Sequence, residues 1–366
     1  MKRITIKNFG PISFAEVELQ RVNVIIGPQS SGKSCLLKVA SCCSWIEKRI
    51  QRLQSYKIFE SDGYFEECLI EFHKLDGYKS KDSIIEYESD YMRFSYNFGK
   101  KSFSFDWKKA RWKYHSSKIS YIPAERNMVS VIPNWFDVAL SGNNIQRFMS
   151  DWNNARTSLK SGLDILNLDV NYHYDSISHQ DIIKMPNDKE LLLTNTSSGL
   201  QSLVPLYVHL NYMYAVRFRQ KGKNSTWSKE QEDRKLQEHL MNEFQSLDGG
   251  KKTKVLKIVN NFTQNFGNDI FLEEPEQNLF PPTQSVLMTY LVDKNKGTHG
   301  GYLFIATHSP YVMTDLLEKV GEKELGLFLS QKTQSGEYKV KQASRDEIEE
   351  IYKYGVDVFF NIETYK

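Results

Sequence analysis

Cysteine is scarce: 366 residues contain four, Cys35, Cys42, Cys43 and Cys68. Three of them fall in one apolar stretch, with neither the paired spacing of a metal knuckle nor the framework of a disulfide-stapled secreted domain. They read as small buried side chains in a reducing compartment. Charge of one sign is also lacking. The 48 Lys and Arg nearly balance the 45 Asp and Glu, leaving +3, which excludes nucleic-acid binding by bulk charge and leaves only local patches to consider. No apolar run approaches the ~20 residues of a membrane helix, and the opening MKRITIKNFGPI carries no secretory core. Sustained heptads and an internal repeat are missing too, which excludes a long coiled coil and a solenoid. What is there is ordinary globular composition, 40% hydrophobic and 25% charged, expected in the cytoplasm with no membrane partner.

ITI (4–6), SFAEVEL (13–19) and VNVII (22–26) predict strands. From Ser34 apolar residues recur at helical spacing, among them Leu37, Val39, Trp45 and Ile50. Residues 62–122 read as a mostly β lobe. Phe94, Tyr96, Phe98 and Phe103, Phe105, Trp107 alternate with polar neighbours about GKKS (99–102), a hairpin, and ISYIPAERN (119–127) reads as a strand entering a polar loop. Residues 128–190 form a mixed insertion, helical over 143–166. Residues 195–218 hold a small-residue turn and a long apolar helix. The polar stretch 221–268 predicts helical excursions outside the core, with a loose GGKK at 249–252. Strands in DIFLEE and YLFIA flank a helix near 282–292. LGLFLSQ, GEYKVKQAS and the helical tail DEIEEIYKYG then complete 269–366. The whole reads as one α/β domain, residues 1–366.

GPQSSGKS (27–34) joins the VNVII strand to the following helix, which is the context a phosphate cradle requires. Gly27 permits the sharp departure from the strand. Gln29, Ser30, Ser31, Gly32 and Lys33 can turn backbone N–H groups inward as an anion nest, and Gly32 allows close approach at the helix start, where the dipole favours phosphate. Lys33 reaches the β- and γ-phosphates and the Ser34 hydroxyl suits Mg²⁺.

IFLEEPEQNLFP (270–281) puts two carboxylates at the C-terminal end of an apolar strand. Successive strand side chains point to opposite sides, so the two do different work: Glu273 is assigned to magnesium and Glu274 to orienting a water for attack on the γ-phosphate. THSP (307–310) leaves another apolar strand. Alone, a histidine there suits a structural role; beside a phosphate loop and an acidic strand end, His308 becomes a γ-phosphate sensor by hydrogen bonding.

Together these residues resemble the ABC-type ATPases. GPQSSGKS resembles Walker A, SSGLQS (197–202) the signature motif, FLEEPEQNLFP Walker B with its D-loop, and ATHSP the histidine switch, in that superfamily's order. The opening ITIKNFGPISFAEVEL, the EEPE and YIPAER resemble the RecF/SMC/Rad50 and OLD-like branch. The resemblance implies a P-loop NTPase fold of ABC type with an antiparallel β subdomain and helical insertions, and ATP with Mg²⁺ sandwiched in a head-to-tail homodimer. Ser198, Gly199 and Gln201 of one copy would face the γ-phosphate held by the other, while Gln277 and Asn278 fall in the loop that communicates across the dimer. Arg126 either senses the γ-phosphate or is a solvated surface residue.

Leu200 stands where the common signature has a second glycine, and Glu273 where the magnesium aspartate is usual. The coiled-coil arms of SMC and Rad50 are absent, and after THSP no segment resembles the Toprim nuclease. Two roles compete. One is an ATP-hydrolysing switch for a separate nuclease or toxin effector in anti-phage defence, docked on 221–268 or 128–190. The other is a DNA-repair or chromosome-maintenance ATPase using GKKSFSFDWKKARWKYHSSK (99–118), with Lys108, Lys109 and Arg111, to neutralise DNA phosphates; as a solvated hairpin face the same segment would have no such role. A transporter subunit is disfavoured by the NFGPI opening and the EEPE.

Overall fold

Fifteen strands are found among the described residues of the computed structural model, which are 1–132, 134–139, 142–219, 227–243, 251–321 and 323–354. In chain order they are β1 (Lys2–Phe9), β2 (Ile12–Leu19), β3 (Val22–Ile26), β4 (Ile84–Ser89), β5 (Met92–Asn97), β6 (Ser102–Trp107), β7 (Ser117–Ile122), β8 (Leu163–Asp164), β9 (Asn171–Asp175), β10 (Gln180–Lys184), β11 (Glu190–Leu192), β12 (Gly267–Glu273), β13 (Leu303–Ala306), β14 (Leu325–Lys332) and β15 (Tyr338–Gln342). Eleven of them form one sheet ordered β6-β5-β4-β1-β2-β15-β14-β3-β13-β12-β7, and β8–β11 form a small second sheet. From β14 to β7 the large sheet is parallel; from β1 outward to β6 it is antiparallel. This is an α/β architecture with a mixed parallel and antiparallel sheet, and the expected antiparallel subdomain and helical insertions are in place.

The parallel strands are buried on both faces, which is why VNVII, DIFLE and LFIA read as nearly continuous apolar runs. Strand alternation divides their side chains between two cores. Val22, Val24, Ile26, Ile270, Leu272, Leu303 and Ile305 join the core beneath the helices Asn144–Ser158, Ser198–Asn211, Pro281–Lys296 and Pro310–Lys319. Ile25, Phe271, Phe304 and Phe328 join the opposite one, packed by the helix Lys33–Leu53 and continuous with the aromatic filling of the antiparallel half. Lys2 fastens the two halves of the sheet: from β1 it reaches Asp269 of β12 at 3.1 Å and Glu47 of the Lys33–Leu53 helix at 3.6 Å.

Three expectations are corrected. The 62–122 lobe, read as mostly β, also holds a helix. Tyr64–Glu71 winds into a helical segment that buries Phe65, Leu69 and Ile70, since those positions recur at helical spacing. The helix expected over 143–166 covers Asn144–Ser158; Asn143 caps its start by accepting from the Ile145 and Gln146 amides, and the Ser161–Gly162 breaker precedes β8. The polar stretch 221–268 is not without core. Its helices Trp227–Glu243 and Lys251–Thr263 bury Leu236, Leu240, Val255, Ile258 and Phe262 against Tyr114 and Trp112. Residues 221–226 and 244–250, with the glycines of GGKK, lie outside the described residues, as do 355–366 of the tail.

Candidate functional site

Register brings the motifs together. Ala306 of β13 pairs with both Ile25 of β3 and Glu273 of β12, and Leu272 pairs with Ile122 of β7. The loops that follow, 27–34, 274–280, 307–309 and 123–127, therefore leave the same C-terminal edge of the parallel sheet, where ligands of α/β proteins bind.

The 27–34 loop is shaped by exclusion. A Cβ on Gly27 would lie 2.7 Å from Cβ of Ser330, and one on Gly32 2.7 Å from Cγ1 of Ile12, with Gly32 also left-handed at φ +92°. Ser30 is left-handed as well, φ +58°, so the loop alternates its backbone sense as an anion nest does. Ser330 of β14 donates to the Ser31 carbonyl at 2.6 Å and pins the loop from below. Gln29, Ser30 and Ser34 are exposed, whereas Lys33 is buried and donates to the carbonyls of Gly27 (2.9 Å) and Pro28 (2.6 Å). Burial lowers the Lys33 pKa to about 8 against the opposing pull of Glu274 and Glu276. The ammonium is thus weakly solvated and faces two carboxylates.

Glu273 and Glu274 part as strand geometry demands. Glu273 is buried, its Oε2 accepting from the Ala124 amide at 3.1 Å, and its carboxylate lies against the Tyr121 hydroxyl. Glu274 breaks out of the strand at φ +40°. Its amide still donates to the Ala306 carbonyl at 2.8 Å, and its carboxylate stands 39% exposed, 3.8 Å from Nε2 of His308. Burial, and after it the Lys33 charge, lowers the His308 pKa, so the imidazole is neutral at pH 7 and can donate from one nitrogen and accept at the other.

Glu276, the third carboxylate of EEPE, has no assigned role in the motif and is drawn into the site by the fold. Its Oε1 accepts from the His308 amide at 2.7 Å, which ties the switch loop to the acidic turn, and burial raises its pKa. Ser330 gave no sequence signal, being a serine in an apolar strand.

Arg126 lies elsewhere than expected. Its side chain is 1% exposed and its guanidinium donates to the carbonyls of Glu273 and Glu274. It is therefore not the solvated surface residue that was one of its two readings.

At the signature-like helix, Ser197 caps the start by accepting from the Leu200 amide, Ser198 is exposed, and Gln201 donates to the Thr194 carbonyl at 2.9 Å. Leu200 packs partly buried on the core instead of leaving a glycine's space. Asn278 donates to Ser202 at 2.9 Å, and a Cβ on Gly199 would meet the Asn278 carbonyl at 3.2 Å. The acidic turn and the signature helix are thus in direct contact within one chain. Gln277 donates its amide to the Glu274 carbonyl.

The site fits a magnesium ion only as an incomplete shell. Among the described residues no group of three His, Cys, Asp or Glu could hold a metal. The buried Glu273 carboxylate, which lies against the Tyr121 hydroxyl, and the exposed Ser34 hydroxyl are the donors present, and Mg²⁺ commonly takes its remaining ligands from water and substrate phosphates.

The basic segment is largely consumed internally. Lys101 pairs with Asp62, Lys108 with Glu88 and Lys118 with Asp151, and Arg111 lies over the rings of Trp107 and Trp112 at 5.0 and 4.1 Å. Lys100, Lys109 and Lys113 are exposed.

No protein-family model and no curated protein matches the chain. Among solved structures it is similar in outline to the SMC head domain of Thermotoga maritima (11% identity, 93% of this chain and 98% of that one, TM-score 0.42). It is likewise similar to the Smc head domain of Pyrococcus furiosus, solved with the C-terminal domain of ScpA (7%, 97% and 99%, 0.44). A third likeness is to the recombination mediator protein RecF (12%, 93% and 97%, 0.33).

Proposed function

We propose that the chain is an ATPase, converting ATP and water to ADP and phosphate, and that two copies close around the nucleotide. The observation that supports this best is the convergence of Lys33, Glu274, Glu276 and His308 on one sheet edge, each shifting or bonding another. Lys33 and the loop amides bind the phosphates. Glu274, exposed and acceptor-only when ionised, orients the attacking water and takes its proton. Neutral His308 bonds the γ-phosphate. Ser34 and Glu273 would hold Mg²⁺, which when bound neutralises phosphate charge. The exposed Ser198 and the helix start behind it offer a second anion-binding end, facing outward, so each copy completes the other's pocket with Ser198, Gly199 and Gln201. The Glu274→Gln chain with ATP should sediment as a dimer and the ATP-free chain as a monomer; a nucleotide-saturated variant that stays monomeric would overturn the composite site.

For the cellular role, coupling to DNA has the better structural support. Lys109 and Lys113 stand exposed two residues either side of Arg111, which lies over the rings of Trp107 and Trp112, a pairing of charge and rings that suits a nucleic-acid backbone and bases. Control of a nuclease or toxin in anti-phage defence is the second reading. Its docking surface is 221–268, whose helices bury a core of their own, or 128–190. DNA affinity measured against salt decides: neutralising Lys109 and Lys113 should flatten the slope of log K by about 2, and salt-insensitive or absent binding would favour the effector.

A further inference from the structure

The residue after a catalytic strand sets where its carboxylate points, and Glu274 occupies a backbone region that L-residues avoid, φ +40°. Such a conformation is strained and persists only where the surroundings over-determine it. Three contacts converge on it. The Glu274 amide is held by the Ala306 carbonyl, and the flanking carbonyls of Glu273 and Glu274 both accept from Arg126, at 2.8 Å from Nη1 and 2.6 Å from Nη2. A guanidinium is a rigid planar fork, so two carbonyls on its two arms fix the orientation of the peptide planes on either side of the Glu274 Cα, and with them the direction of its side chain.

The fork comes from the turn Ala124–Asn127 that follows β7. The same turn donates the Ala124 amide to the Glu273 carboxylate. One helical turn further on, Ser130 donates to the Gln201 carbonyl of the signature-like helix. Arg126 therefore belongs to a strut that runs from the acidic turn to that helix.

We infer that Arg126 is a positioning residue for hydrolysis, holding the Glu273–Glu274 turn in the conformation that aims the Glu274 carboxylate, and that it does not contact the nucleotide. The inference rests on the ATPase reading above. It differs from a phosphate-sensing arginine in what its loss does: a sensor lost weakens ATP binding, whereas a clamp lost leaves binding intact and slows turnover.

The test is Arg126→Lys in the full chain, with Arg126→Gln as a second variant and a thermal melt on each to confirm the fold. One ammonium can satisfy one carbonyl at a time, so kcat should fall on the order of tenfold to a hundredfold, the loss typical of a slightly misplaced group. KM and the ratio of ATP to ADP affinity, read with fluorescent nucleotides, should match the wild type. In a Glu274→Gln background the same substitution should add about twofold or less, because both changes act through one carboxylate. Wild-type kcat in Arg126→Lys, a selective loss of ATP over ADP affinity, or a full multiplicative effect in the double variant would each overturn the inference. Turnover unaffected by Glu274→Gln would instead remove the ATPase assignment of Glu274, and this proposal with it.

Discussion

Oε1 of Glu274 stands 3.8 Å from Nε2 of His308, one carried on a left-handed residue beyond β12, the other on the exit from β13. That separation is too long for a hydrogen bond, so both groups keep their bonding capacity for a reactant, while the Glu276 carboxylate holds the histidine's own backbone in place. Replacing Glu274 by Gln preserves shape and removes the base. Phosphate release should drop by about 10²- to 10⁴-fold with nucleotide affinity nearly unchanged; near-normal release would take Glu274 out of the role.

Lys33 makes the opposite separation. Lys33→Ala removes the cation facing the phosphates, so binding itself should fail. In the wild type the burial that lowers its pKa to about 8 means the ammonium is charged at pH 7 and loses its proton as the pH climbs past 8. ATP affinity should decline over that alkaline interval, and a fluorescence titration that stays level from about pH 7 to 9.5 would contradict the assignment.

The chemistry of the sheet edge was legible because its residues are constrained locally. Gly27 and Gly32 have no room for a Cβ, Lys33 follows at the helix start, and Glu273 and Glu274 close an apolar run. Arg126 was not legible, since an arginine in a polar-looking loop gives no hint that β7 lies beside β12 and turns it inward; that is a fact of strand order. The same holds for Ser330, which meets the Ser31 carbonyl across 299 positions of sequence. The core of the helices Trp227–Glu243 and Lys251–Thr263 was not legible because its apolar residues are few and their partners, Trp112 and Tyr114, come from the segment between β6 and β7.

Two buried histidines set an acid limit on stability. His209, fully buried against Ser120 at 2.8 Å, has its pKa pushed down to about 4, and burial together with the Lys38 charge takes His73 to about 3. An imidazole with a lower pKa folded than the ~6.5 of the unfolded chain binds fewer protons when folded, so its contribution is complete above about pH 6.5 and drains as the pH falls toward 4, on the order of 1.4 kcal/mol per pH unit per histidine. The melting temperature should drop over that range, and less steeply in His209→Gln. Equal slopes for the two proteins would refute this.

The core of the helices Trp227–Glu243 and Lys251–Thr263 makes a separable prediction. Phe262 is 1% exposed and stacks with Trp112. Phe262→Ala should cost about 3–5 kcal/mol locally and raise hydrogen exchange in 234–242 and 253–263 while leaving ATP affinity alone. Loss of nucleotide binding in that variant would show that these helices are coupled to the phosphate loop.

Burial raises the pKa of all four thiols, Cys35 and Cys68 to about 12 and Cys42 and Cys43 upward as well. Cys35, Cys42 and Cys43 are buried whereas Cys68, contrary to the sequence reading, is partly exposed, so maleimides and bifunctional cross-linkers should pass the first three by and meet Cys68 slowly. A single cysteine introduced at the exposed Ser198 would then be the dominant nucleophile toward such reagents, and covalent capture between copies could be followed on a gel without first stripping the chain of its own sulfur.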